Sequence, residues 1–106
     1  MTLLENIYHQ LHDSRLVKNR EHFSTKYLGK SKNWYSVQKH ERRDFSISAA
    51  IVFLSNIHTQ VLSREISTSQ KQTLIKAEKA LLNFFANKLN IHPLYTESAS
   101  FKNLSG

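Results

Sequence analysis

Residues 19–43 read NREHFSTKYLGKSKNWYSVQKHERR, and two short helical patterns meet within them at a Gly-containing turn, Leu28-Gly29-Lys30-Ser31. Asn19 can cap the first pattern, which carries Phe23, Tyr27 and Leu28 inward. Ser31 is a good N-cap for the second, which is expected from about Lys32 to Arg42. Trp34 and Val37 are three residues apart and predict a core-facing stripe, leaving Lys32, Asn33, Ser36, Lys39 and Arg43 toward solvent or a ligand. Tyr35 is expected to pack between helices, because aromatics at helical spacing are usually core. A short helix with that much exposed hydrogen-bonding capacity, carried by a short turn, suits insertion into a DNA groove.

The charge points to the same stretch. The chain has 106 residues with 15 Lys/Arg and 8 Asp/Glu, a formal net charge of +7. Nine of the basic residues (Arg15, Lys18, Arg20, Lys26, Lys30, Lys32, Lys39, Arg42, Arg43) lie between residues 15 and 43, beside only two acids, Glu21 and Glu41. That segment holds the whole excess of +7, and elsewhere basic and acidic residues balance. Clustered positive charge attracts a polyanion and releases its counterions, which gives salt-sensitive binding.

Outside this stretch the pattern is helical throughout. Thr2 with Glu5 forms a capping-box pattern for a first helix with an apolar stripe of Leu3, Leu4, Ile7, Tyr8 and Leu11. His9 and His12 share a face at a spacing that suits a metal, but no third ligand lies nearby, so they are read as surface histidines. Asp44 or Ser46 is expected to start a fourth helix with apolar positions Ile47, Ala50, Ile51, Leu54, Ile57, Val61 and Leu62, widened by Val52 and Phe53. Thr68 or Ser69 is expected to cap a long last helix, about 69–90. On it Leu74, Leu81 and Lys88 recur every seven residues, with Ala77 and Phe84 between them and Phe85 alongside. These six residues are the expected homodimer interface. Asn90 to Pro93 should stop the helix, and the Ser-rich segment 93–106 is expected to be a flexible tail.

The expected fold class is therefore all-α: a compact bundle of about five helices in a single domain, residues 1–92. With no cysteine there is no disulfide or thiolate metal site, and a reducing cytoplasm is the expected location. The longest apolar run, residues 49–54, is far short of a membrane span, so no membrane association is expected.

At FSTKYLGKSKNWYSV, the chain resembles the bacterial and phage helix-turn-helix regulators in its frame: a helix ending in Leu28-Gly29, a turn, Ser31 and a second helix. It is also similar to a group of small proteobacterial proteins with an F-S-x-x-[WY]-L-G-x-S-x-x-[WY] core, which brings no function with it. Thr25, Lys30 and Gln38 depart from the regulator frame, where a small residue and two aliphatic ones are usual. The regulator resemblance implies that Ser31, Lys32, Asn33 and Ser36 approach base edges. It implies that Lys30, Lys39, Arg42 and Arg43 hold phosphates, with Arg20 and Lys26 on the flanking helix.

The function expected on these grounds is a sequence-specific transcriptional regulator that binds double-stranded DNA, acting as a homodimer. The alternative is a protein-interaction module, an anti-activator or phage-type inhibitor that sets the same basic face against an acidic protein partner. No phosphate loop, H-E-x-x-H, nucleophile elbow or cysteine nucleophile occurs, so no enzyme, no cofactor and no metal site is expected.

Overall fold

The helices begin where oxygen atoms capture the free N–H groups of a first turn. A computed structural model describes residues 1–89, and among these it contains helices and no strand. In chain order they are α1 (Leu3–Asp13), α2 (Arg20–His22), α3 (Trp34–His40), α4 (Ile47–Val61) and α5 (Thr68–Lys88). A π-helical segment, Phe23–Tyr27, continues directly from α2. The expected helix stop at Asn90–Pro93 and the expected tail, residues 93–106, lie outside the described residues.

Thr2 and Glu5 form the predicted capping box at α1. Asp44 adds to it from the α3–α4 link: its carboxylate accepts the Leu3 and Leu4 N–H groups, each at 2.9 Å. A carboxylate at this end also meets the positive pole of the helix dipole. Asn19 caps α2 and Ser46 caps α4, both within the sequence reading. The cap of α5 is Ser67, one residue before the first expected cap, Thr68, and it pairs with Gln70 in a second capping box.

α1 and α4 both pack on α5, while the π segment leans on α3 and α4. Leu4, Ile7 and Leu11 of α1 meet Leu74, Ala77 and Leu81 of α5 in one core with Phe23, Tyr27, Leu28, Tyr35, Phe53 and Ile57. Burying such a side chain contributes about 1.5–3 kcal/mol. Polar clasps close the ends: Gln70 Nε2 donates to the Ser14 carbonyl at 2.9 Å, Ser14 and Thr73 hydroxyls meet at 3.0 Å, and His58 pairs with Glu78 between α4 and α5.

Two apolar faces differ from expectation. The buried residues of α4 are Ala49, Ala50, Phe53 and Ile57, whereas Ile47, Ile51 and Leu62 are more than half exposed. The apolar arc of α4 is wide, with Val52 and Phe53 extending its stripe, so the sequence period does not say which part of it meets the core. The aromatic cluster selects it, because Phe53 stands 5.7 Å from Phe45, 6.3 Å from Phe23 and 6.4 Å from Tyr27 between ring centroids. On α5, Leu74, Ala77 and Leu81 are fully buried inside the chain's own core, which corrects their assignment to a dimer interface. Phe84 and Phe85 pack partly against that core, and Lys88 is exposed with its ammonium 5.6 Å over the Phe84 ring. No helix among the described residues is long and apolar enough to cross a membrane.

Two buried tyrosines differ in one respect. The Tyr27 hydroxyl donates to the Leu16 carbonyl at 3.0 Å, while the Tyr35 hydroxyl is buried without a hydrogen-bond partner. Tyr27→Phe is expected to cost about 1–2 kcal/mol in chemical denaturation, whereas Tyr35→Phe is expected to be neutral or stabilising by up to about 1 kcal/mol. Burial, and then the charge of Glu5, pushes the Tyr35 phenol from 10.0 up to about 12. The folded state thus favours the neutral phenol, and the unfolded chain gives up its proton first. This contribution is complete below pH 10, is lost as pH rises through 12, and is absent from an alkaline melting series on Tyr35→Phe.

Candidate nucleic-acid interface

The basic stretch is organised by a buried hydroxyl. Ser24 lies in the π segment and is completely inaccessible. Its Oγ accepts the Tyr35 N–H at 3.0 Å, and its carbonyl accepts the Lys30 N–H at 2.9 Å. The first bond does the work of an N-cap for α3 from eleven residues upstream. Ser31, the expected cap, instead receives the Trp34 N–H on its backbone carbonyl at 3.1 Å, and Asn33 precedes α3 without a side-chain cap. α3 is correspondingly shorter than expected.

The π geometry follows from the same closure. Leu28 N–H donates back to the Phe23 carbonyl at 3.1 Å, one residue further than an α-helix allows. Gly29 then turns the chain at φ +64°, where a Cβ would stand 3.0 Å from Cγ1 of Val52 on α4. Asn56 of α4 secures the same end by donating to the Lys26 and Tyr27 carbonyls at 2.9 and 3.2 Å.

With its first turn pinned by Ser24, α3 presents a face different from the one its sequence predicts. Tyr35 points inward, 4.7 Å from Tyr8 and 5.3 Å from Phe23 between centroids, as its expected packing role requires. Gln38 follows it on the buried side and donates from Nε2 to the Asp44 carbonyl at 3.0 Å. Val37 is displaced outward to 48% exposure and Trp34 is only half-buried, which corrects the predicted Trp34–Val37 stripe.

Ser31, Lys32 and Asn33 are exposed in the turn, and Ser36 is half-buried on the first turn of α3. Lys39 is half-buried near the other end of α3, and Arg42 and Arg43 are exposed just beyond it. Arg20 and Lys26 are exposed on α2 and the π segment. Lys30 is drawn back against the protein: its ammonium donates to the Ser48 hydroxyl at 2.8 Å and lies 5.7 Å from the Trp34 ring centroid. Of the nine basic residues in 15–43, Arg43 alone pairs with a carboxylate among the described residues, that of Glu41 at 3.1 Å. The positive charge is therefore left largely unneutralised by the protein itself. Burial first, and then the charges of Lys18 and Lys26, hold the His22 imidazole below the usual range. Its Nδ1 accepts the Lys18 N–H at 3.0 Å, which an unprotonated nitrogen can do.

A second surface of different character lies between α4 and α5. Ile47, Ile51, Leu54, Leu82, Phe85 and Leu89 line a groove of about 200 Å³ with wholly apolar walls. Ile47, Ile51, Leu82 and Leu89 are each more than half exposed there. His9 and His12 are exposed and set against the Tyr8 ring, 5.4 and 5.6 Å away, and among the described residues no group of three His, Asp or Glu could hold a metal ion. Sequence reasoning missed Ser24, whose only local sign was its place between core aromatics, and it offered Asp44 as a cap of α4, whereas its carboxylate serves α1.

The turn predicts its own sensitivity. Gly29→Ala is expected to destabilise the fold by about 1–2 kcal/mol, from the left-handed backbone alone. The Val52 contact adds to that, so Val52→Ala should recover part of the loss in a thermal-denaturation double-mutant cycle, and full recovery would show that backbone conformation costs nothing there.

No curated protein and no solved structure matches the chain. The model of a family of unknown function, DUF6626, matches residues 4–94, from the first turn of α1 to beyond α5. The chain belongs to this family, DUF6626.

Proposed function

We propose that the protein is a helix-turn-helix regulator that binds double-stranded DNA through α2, the Gly29 turn and α3. The observation that carries this reading is the basic segment 15–43, which holds a net excess of +7 and in which Arg43 alone of nine basic side chains pairs with a carboxylate among the described residues. Exposed Lys32 and Asn33 lead into α3, while Lys39, Arg42 and Arg43 lie at its far end. Seven residues span about 10 Å, comparable to the roughly 12 Å width of a major groove. Ser31, Lys32, Asn33 and Ser36 are assigned to base edges. Lys39, Arg42, Arg43, Arg20 and Lys26 are assigned to phosphates, and Lys30 joins them on release from Ser48.

A helix this short supplies little discrimination alone, so the protein is proposed to act as a homodimer on two half-sites about one helical turn apart. The apolar α4–α5 groove supports a protein-contacting surface, in place of the buried Leu74, Ala77 and Leu81. The same groove favours, as a second reading, an interaction module that receives the apolar face of a partner helix.

Gel shifts on the protein's own upstream DNA and on a random duplex, at two salt concentrations, test the DNA reading. Preferential binding to the upstream DNA is expected to survive the higher salt. Lys32→Ala should weaken that binding about 10- to 100-fold while sparing the random duplex, and Arg43→Ala should weaken both alike. Absence of binding at either salt would remove DNA as the partner.

Ile51→Glu combined with Leu82→Glu tests the dimer by sedimentation equilibrium. The wild type is expected to dimerise at micromolar concentration and the variant to remain a folded monomer. A monomeric wild type would favour the partner-protein reading.

A further inference from the structure

Three helical segments close on a residue in the left-handed region: Arg15 at φ +64°, Gly29 at φ +64° and Arg42 at φ +57°. At Arg15 and Arg42 the closure is a complete Schellman motif. Arg15 N–H donates to the His12 carbonyl at 3.0 Å and Leu16 N–H to that of Leu11 at 2.9 Å. Arg42 N–H donates to the Lys39 carbonyl at 3.1 Å and Arg43 N–H to that of Gln38 at 2.8 Å. Glycine suits this position because a Cβ crowds the neighbouring carbonyl there, and an arginine occupies it at a cost in local stability.

Among the described residues, no hydrogen bond or ion pair of either side chain compensates for that cost. Both arginines are exposed, and neither pairs with a carboxylate among the described residues. Their placement is set by α1. Asp44, two residues past Arg42, holds the first turn of α1, and Arg15 follows the last. Eleven helical residues separate those ends by about 17 Å. Arg15 also sits beside the π segment, since the Leu16 carbonyl takes the Tyr27 hydroxyl bond.

We infer that Arg15 and Arg42 are a pair of phosphate ligands at opposite ends of α1, and that Arg15 extends the DNA-binding face beyond the hairpin. The inference rests on the DNA reading above. A planar guanidinium offers two parallel N–H donors to one phosphate, which an exposed, unpaired arginine is free to supply. Such contacts position a duplex without reading its sequence.

Salt titrations of binding to a random-sequence duplex, followed by fluorescence anisotropy and paired with melting curves, test it on the full chain. Arg15→Gly and Arg42→Gly are expected to melt at or above the wild-type temperature. Each should flatten the dependence of log affinity on log salt by about 0.9, and the double variant by about 1.8. Lys79→Ala, on α5, should leave that slope unchanged. A wild-type slope in the double variant overturns the inference and removes Arg42 from the phosphate contacts assigned above, while duplex binding through the remaining residues stands. An equal loss of slope in Lys79→Ala also overturns the inference. A lowered melting temperature in either glycine variant makes the arginine structural and overturns it as well. Failure of the wild type to bind duplex overturns the inference and the DNA reading together.

Discussion

The hydroxyl of Ser24 is inaccessible to water, so it must find its partner inside the protein, and it finds the N–H of Tyr35. An unpartnered hydroxyl and an unpartnered amide at that depth would each cost about 1–3 kcal/mol. The bond therefore holds the π segment and the first turn of α3 in one arrangement. Tyr35 turns inward as a result, between Tyr8 and Phe23, and the turn residues 31–33 are left facing solvent. The Ser24 carbonyl, by receiving Lys30, fixes the path between the two elements. The outward display of the proposed base-contacting residues depends on this one serine.

Asp44 plays the corresponding part for the rest of the bundle. It binds the start of α1 through its carboxylate and Gln38 of α3 through its carbonyl, so the end of the hairpin and the first helix are held to one residue. An acid this close in sequence to Arg42 and Arg43 is a natural ion-pair partner for them. It is instead engaged by the α1 N–H groups, and the guanidinium that does find a carboxylate, that of Arg43, finds Glu41. The use of Asp44 for capping is thus one reason the basic face keeps its charge.

The two surfaces that carry the functional proposals differ in physical kind. The basic face draws a partner from a distance by electrostatics and is weakened by salt. The α4–α5 groove acts only at contact, through removal of apolar area from water. A regulator that reads DNA as a dimer needs both properties on one chain, and a module that grips an acidic protein can use both as well. For that reason charge alone does not separate the two readings, while duplex binding and oligomeric state do.

Local chemistry was enough to reveal the helices, the capping box at Thr2 and Glu5 and the caps at Asn19 and Ser46, because each rests on residues a turn apart, and aromatic character alone pointed to the packing of Tyr35. The concentration of charge on 15–43 was equally plain, since it is a property of composition along the chain. Which face of α4 and α3 turns inward was not legible. The apolar arc of α4 is wider than the part the core covers, and the orientation of α3 is dictated by a hydroxyl eleven residues away. The burial of Leu74, Ala77 and Leu81 was hidden for a related reason: a seven-residue apolar spacing is the same whether the partner helix belongs to another copy or is α1 of the same chain. Long-range hydrogen bonds and the competition of aromatic rings for one core resolve those choices, and both exist only once the chain has folded.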